Sequence, residues 1–192
     1  MVTIREEKIA DVAAREMLLD EAYGAARFAK TSERLREGRL PADGLSLVAV
    51  ERGRIVGTVR LWNVTAGPGR DALLLGPLAV HPEHRNRGIG SALIDRAIAR
   101  ARLAGHQAIV LVGDAPYYGR FGFSSGPTGE LWMPGPFERQ RLLALELKPG
   151  VLDGARGMIG AAGRLVPAPD LATLVAQDRR AERARARRAR AA

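Results

Sequence analysis

The stretch Leu73-Leu74-Leu75-Gly76-Pro77-Leu78-Ala79-Val80-His81-Pro82-Glu83-His84-Arg85-Asn86-Arg87-Gly88-Ile89-Gly90-Ser91 decides how this chain folds. Its first half, Leu73 to Val80, is short, apolar and closed by His81-Pro82, the pattern of a buried strand. Gly76-Pro77 interrupts that strand. Proline has no N–H to give to a ladder, so within a strand it marks an edge or a bulge. Beyond a bulge, Leu78, Ala79 and Val80 keep backbone groups available for something other than a neighbouring strand. The second half is a basic, glycine-bearing turn, Arg85-Asn86-Arg87-Gly88, that opens into a helix through Ile89, Gly90 and Ser91. Gly88 and Gly90 let a ligand approach the backbone closely. The unpaired N–H groups and the dipole of a first helical turn attract anions, and Arg85 and Arg87 add charge at the same place.

Downstream of this stretch, Gly88 to Ala104 reads as a helix burying Ile89, Leu93, Ile94, Ile98 and Ala101, with Gly105 as its stop. Ala108 to Val112, nearly all β-branched or leucine, is a central strand. Asp114-Ala115-Pro116 starts a short helix, aspartate as cap and proline in the first turn, that carries Tyr117, Tyr118 and Phe121. Pro127 to Pro136 reads as a loop and Leu142 to Leu147 as a last strand, with Phe137 just ahead of it. Upstream, Val2 to Arg5 is a first strand. Ile9 to Tyr23 has apolar residues at Ile9, Val12, Ala13, Met17, Leu18 and Ala22, a helical spacing, and Lys30 to Gly38 adds a shorter helix. Leu45 to Val50 and Arg54 to Val64 form a hairpin turning at Arg52-Gly53, and Ala66-Gly67-Pro68-Gly69 is a loop. Hairpins at the start and alternating strands and helices in the middle predict a mixed α/β fold around one sheet rather than a doubly wound one.

Composition bounds the function. A chain of 192 residues is one domain of ordinary size, and 46% hydrophobic content is globular rather than disordered. No apolar run approaches membrane-spanning length, so no membrane partner is expected. Met1 to Glu7 lacks the basic start and apolar core of a secretory signal, and a cytoplasmic protein is the simplest expectation. The absence of cysteine excludes disulfides, thiolate metal sites and a cysteine nucleophile. Of the net charge of +9, Arg179 to Ala192 contributes +6 through seven arginines and one acid, leaving +3 for everything before it. The basic character belongs to the tail and does not make the body a nucleic-acid binder. From Lys148 onward recurring glycines and Pro167 and Pro169 predict a loose extension, 149–169. Helical character over 171–189 has apolar positions only as far as Val175.

Arg85-Asn86-Arg87-Gly88-Ile89-Gly90 matches the R/Q-x-x-G-x-G/A signature of the GNAT superfamily of N-acetyltransferases. Leu78-Ala79-Val80-His81-Pro82 resembles that family's bulged fourth strand, and Tyr117-Tyr118-Gly119-Arg120-Phe121-Gly122-Phe123 is similar to its tyrosine-bearing motif. The resemblance covers roughly residues 2 to 148 and is strongest from 45 to 123. It implies a GNAT-like domain over 1–148 followed by a Gly/Pro-containing extension and Arg-rich tail, 149–192. The implied sheet is central, mixed, mostly antiparallel and twisted, with helices on both faces.

The family's reaction, transfer of an acetyl group from acetyl-CoA to a primary amine by direct attack in a ternary complex, sets three tasks. The backbone amides of Arg87 to Ser91, with Arg85 and Arg87 nearby and Asn86 in the loop, are implied to hold the pyrophosphate. A backbone N–H among Leu78, Ala79 and Val80 is implied to polarise the thioester carbonyl. Tyr118, in the place of the family's tyrosine, is implied to protonate the leaving thiolate. Tyr117 leaves the helix about 100° away and is the weaker candidate. Asp114 stands where many relatives carry asparagine near the cofactor, and a capping role suits it better, since an acid would repel pyrophosphate.

No general base is placed. The strand from Ala72 to Val80 contains no acid and Asp71 sits only at its start; Glu51, Glu83 and Glu130 are alternatives without positional support. His81, Glu83 and His84 suit a solvated turn better than a metal site, so no metal is expected. A second class of function stays open: a catalytically weak, GNAT-shaped acyl-CoA-binding module with a basic tail. The acceptor is a small-molecule or peptide amine of unspecified identity. A homodimer is an analogy with the family, and nucleic acid is expected to touch at most the Arg-rich tail, weakly.

Overall fold

The structure, a computed structural model, describes residues 1–167. The expected tail helix and the Arg-rich segment lie outside the described residues. The chain runs through β1 (Val2–Glu6), a 3-10 turn (Ile9–Asp11) that continues into α1 (Val12–Tyr23), and two further 3-10 segments, Ala25–Ala29 and Thr31–Leu35. The hairpin β2 (Ser46–Glu51) and β3 (Arg54–Ala66) follows, then β4 (Asp71–Val80), α2 (Ile89–Leu103), β5 (Ala108–Val112) and α3 (Ala115–Gly119). Three strands close the order: β6 (Glu130–Trp132), β7 (Leu142–Glu146) and β8 (Arg156–Ala161).

These strands form a sheet in the order β1-β2-β3-β4-β5-β7. Its neighbours are antiparallel except β4 and β5, which run parallel. The β2–β3 hairpin turns through Arg52 and Gly53, both at positive φ, as a tight two-residue turn requires. In β3 and β4, Val59 faces Leu78 while Leu61 faces Leu75, so Gly76 and Pro77 are both accommodated opposite Arg60. This is the bulge read from the sequence. The Trp62 indole N–H donates to the Gly76 carbonyl at 2.7 Å, satisfying a group that the interrupted ladder leaves over.

One face of the sheet packs on α2, whose Leu93, Ile94, Ala97 and Ala101 are fully buried against Leu47, Val59, Leu61, Leu73 and Ile109. Each such leucine or isoleucine contributes about 1.5–3 kcal/mol by leaving water. Gly57 lets the helix come close, since a Cβ there would sit 3.0 Å from Leu93 and 3.1 Å from Ile89. A second core on the opposite side gathers Leu35, Trp62, Leu74, Val110, Leu131 and Ile159. Leu18 and Leu19 of α1 pack with Ala79.

Helical spacing locates α1 but not its buried face. Ile9 and Met17 are 95% and 72% exposed, whereas Arg15 is buried. The helix is turned by ion pairing: Arg15 donates to Glu7 at 3.2 Å and to Glu16, and Arg60 of β3 donates to Glu7 at 2.6 Å. Removing one partner of such a buried network costs about 3–5 kcal/mol. The short helix expected over 30–38 is instead 3-10 within Thr31–Leu35.

The loose extension predicted after Lys148 is corrected over Arg156–Ala161. There β8 pairs antiparallel with Val64 to Ala66 of β3 and parallel with β6, itself inside the stretch predicted as a loop. The reason lies in β3, which outruns its partner: β2 covers it only from Arg54 to Arg60, leaving the far half of that edge to be paired. Gly67, at positive φ, permits the junction, because a Cβ there would lie 2.1 Å from the Arg156 carbonyl oxygen. Among the described residues no helix is long and apolar enough to cross a membrane.

Candidate active site

The parallel pairing of β4 with β5 is limited to Leu73 opposite Ile109 and Leu74 opposite Val110. Past that point β4 continues to Val80 with β3 as its one strand partner among the described residues, so the other edge of Leu78 to Val80 is left without a ladder. The His81 amide donates to the Val56 carbonyl of β3 at 2.9 Å. Backbone groups alternate along a strand, so the Val80 and Leu78 amides point to the open side and Ala79 toward β3. On the open side the Tyr23 hydroxyl donates to the Leu78 carbonyl.

At the far end of this edge the chain enters α2 through Gly88, whose φ of 74° is left-handed, after Asn86 at φ 59°. A cleft of about 380 Å³ opens here, lined by Val80, Arg85, Asn86, the stretch from Gly88 to Ser91, Tyr117 of α3 and Arg120 just past that helix. Arg85 lines it, as does Arg120, which no motif reading singled out. The Arg87 guanidinium is turned aside. It donates to both oxygens of Glu51 at 2.7 and 3.1 Å, and the same carboxylate meets His84 Nε2 at 3.0 Å. The Arg87 bond is the main reason the Glu51 carboxyl is held down to about 2. His81, Glu83 and His84 bring their donor atoms within 4.8 Å of one another. Of these, His81 is engaged locally: its Nε2 lies 3.4 Å from Glu21, and its Nδ1 accepts from the Glu83 amide at 3.3 Å, while His84 Nδ1 is buried without a partner among the described residues.

Helix α3 divides its two tyrosines between two cavities. Asp114 caps it, accepting from the Tyr117 amide at 3.2 Å. The Tyr117 and Tyr118 rings stand edge to face, 5.0 Å apart. Tyr117 turns to the cleft, its hydroxyl 3.1 Å from where a Cβ on Gly90 would be. Tyr118 turns to a second cavity of about 110 Å³ on the other side of the open edge, shared with Tyr23, Gly76, Pro77 and Leu78. Its ring packs closely on Gly113, where a Cβ would come within 2.2 Å of Cε2. Burial pushes the Tyr118 phenol up, which keeps it protonated throughout the neutral range.

The second cavity contains what motif reading missed. Tyr23, Lys30, Glu33 and Arg36 line it, all from the segment around and after α1. No motif falls there, and these residues become a group only when that segment folds over β4. The carboxylates weighed from sequence, Asp71, Glu51, Glu83 and Glu130, do not line this cavity; Glu33, which that reading did not single out, does.

Comparison with known proteins bears on the family and the fold. Over 119 residues the chain is 34% identical to the uncharacterized N-acetyltransferase YjhQ of Escherichia coli, a match spanning 60% of this chain and 65% of that protein. It is 29% identical over 162 residues to the uncharacterized N-acetyltransferase YhbS of the same organism, across 81% of this chain and 93% of the relative. The crystal structure of YhbS in complex with CoA superposes with a TM-score of 0.71 at 28% identity, covering 84% of this chain and 89% of that one. A GNAT-family acetyltransferase from Brucella melitensis in complex with acetyl-CoA gives a TM-score of 0.65, also at 28% identity, across 84% and 96% of the two chains. The sequence model of the acetyltransferase (GNAT) family matches residues 12–123, which is more than half of the chain, and the protein therefore belongs to that family.

Proposed function

We propose that the protein transfers an acetyl group from acetyl-CoA to a primary amine of a small molecule or peptide, by direct attack within a ternary complex. The observation that carries this reading is the open edge of β4, with an anion-suited helix start at one end and a tyrosine-lined cavity on its far side. The pyrophosphate is assigned to the amides of Arg87 to Ser91, with Arg85 and Arg120 as side-chain cations. The pantetheine arm runs along the Leu78-to-Val80 edge, whose outward amides supply hydrogen bonds to it and to the thioester oxygen. The amine occupies the second cavity.

Its nitrogen lone pair attacks the thioester carbon, the C–S bond breaks, and the sulfur takes a proton from the Tyr118 hydroxyl. The amine nitrogen gives up a proton to water or to Glu33, and the Tyr118 phenolate is reprotonated from water as the products leave. Relatives crystallised with CoA and with acetyl-CoA support this reading. We place the reaction in the cytoplasm.

The test is a thermal-shift titration with acetyl-CoA followed by free-thiol release across a broad panel of amines. Stabilisation together with turnover on one amine is the expected result. Absence of any shift overturns the proposal. Stabilisation without turnover on any amine replaces it with the acyl-CoA-binding module.

A further inference from the structure

The wall of the second cavity is cationic. Arg27, Lys30 and Arg36 face one carboxylate, Glu33. Arg27 is already committed, donating to Asp20 at 2.9 Å and to Glu16. Arg36 is different: its side chain is only 7% exposed, yet its bonds are confined to Nη2, which donates to Glu33 at 2.7 Å and to Ser32 at 3.4 Å. Its Nε is buried without an acceptor among the described residues. A buried guanidinium with a spare donor is a costly arrangement unless an acceptor arrives. Lys30 lies with Nζ 4.2 Å above the Tyr23 ring. Burial presses its pKa down, and the positive charges of Arg36 and Arg141 add to that. With Arg27 and Arg36 paired to carboxylates, Lys30 is the cation of this wall that has no carboxylate partner among the described residues, and it stands beside the phenols of Tyr23 and Tyr118.

We propose that the acceptor taken by this cavity is an amine carrying its own anionic group, a carboxylate or a phosphate, which Lys30 and Arg36 bind while the amine faces the bulge of β4. The inference rests on the acetyl-transfer reading and narrows its substrate class. A polyamine or a cationic peptide end would meet like charge at this wall. An amino acid or a phosphorylated amine brings acceptor oxygens to Lys30 and to the cavity-lining guanidinium of Arg36, whose planar geometry suits both.

Matched pairs test it: phenylalanine against phenethylamine, and phosphoethanolamine against ethanolamine, with spermidine as a cationic comparison. Each is assayed for free-thiol release with acetyl-CoA, and for binding to the CoA-loaded protein by calorimetry. In at least one pair the anionic member should be favoured about tenfold or more in kcat/KM and in affinity, the scale of one charge-assisted hydrogen bond. The pair that shows the preference identifies carboxylate or phosphate. Lys30→Met should narrow that ratio about tenfold, and Lys30→Arg should restore it. Preference for the uncharged or cationic member, equal binding within both pairs, or a ratio unmoved by Lys30→Met overturns the inference. Failure of acetyl-CoA to stabilise the protein overturns the underlying reaction instead, and is read in a separate titration.

Discussion

The Tyr23 hydroxyl, at the end of α1, donates to the Leu78 carbonyl, the first strand residue past the bulge of β4. That bond spans 55 residues of sequence and ties the segment that lines the acceptor cavity to the strand edge assigned to the thioester. Tyr23→Phe keeps the ring and removes the donor. Stability to urea should fall by about 0.5–1.5 kcal/mol, and KM for the amine should rise more than KM for acetyl-CoA. An unchanged amine KM would show that the bond positions nothing.

Tyr118→Phe should lower kcat by a factor on the order of 10²–10⁴, the range for a positioned general acid, with acetyl-CoA affinity nearly unchanged. Tyr117→Phe should act the other way round. Its hydroxyl borders Gly90 in the cleft, so any loss belongs in acetyl-CoA binding. Steady-state kinetics and CoA titration of both variants separate the two, and a larger kcat loss in Tyr117→Phe would reverse the assignment.

Gly113→Ala adds one carbon within 2.2 Å of the Tyr118 ring. The ring must leave its place, at a cost of about 1–3 kcal/mol for overpacking. We expect a lower melting temperature and a loss of turnover approaching that of Tyr118→Phe. The double variant should then lose little further activity, because both changes act through one hydroxyl. Full activity in Gly113→Ala would mean that the position of Tyr118 does not matter to the reaction.

Gly90→Val puts a branched side chain into the cleft, where its Cβ alone would stand 3.1 Å from the Tyr117 hydroxyl and 3.6 Å from Val80. Stabilisation by acetyl-CoA should disappear while the fold, judged by circular dichroism, persists. A wild-type thermal shift would remove the cleft from the cofactor's path.

Glu51 joins β2 to the loop before α2 through Arg87 and His84. Its carboxyl titrates at about 2 rather than at the ordinary 4.5, mainly because Arg87 bonds the ionised form. A depressed folded-state pKa means stability that is complete above pH 4.5 and lost as pH falls toward 2. Wild type should therefore exceed Glu51→Gln in stability at neutral pH, and the two should converge on acidification through that window. A constant gap down to pH 2 would assign the difference to something other than this ionisation.

Sequence alone determined the parts of the site that depend on neighbours in the chain. The bulge follows from Gly76-Pro77, the helix start from Gly88-Ile89-Gly90, and the Asp114 cap from its place one residue ahead of Ala115-Pro116; each is a constraint on local backbone that residue type expresses directly. The tertiary structure decided the rest. It turned Arg87 away to Glu51, placed Tyr117 and Tyr118 in different cavities, and completed the edge of β3 with β8 from a glycine-rich stretch that carries no strand signal of its own. It also brought Tyr23, Lys30, Glu33 and Arg36 over the β4 bulge. Tyr23 ends a helix, Glu33 lies in a short 3-10 segment, and Lys30 and Arg36 flank that segment, where no periodicity marks a face. Their grouping depends on how that segment packs across β4, a long-range contact that no local pattern encodes.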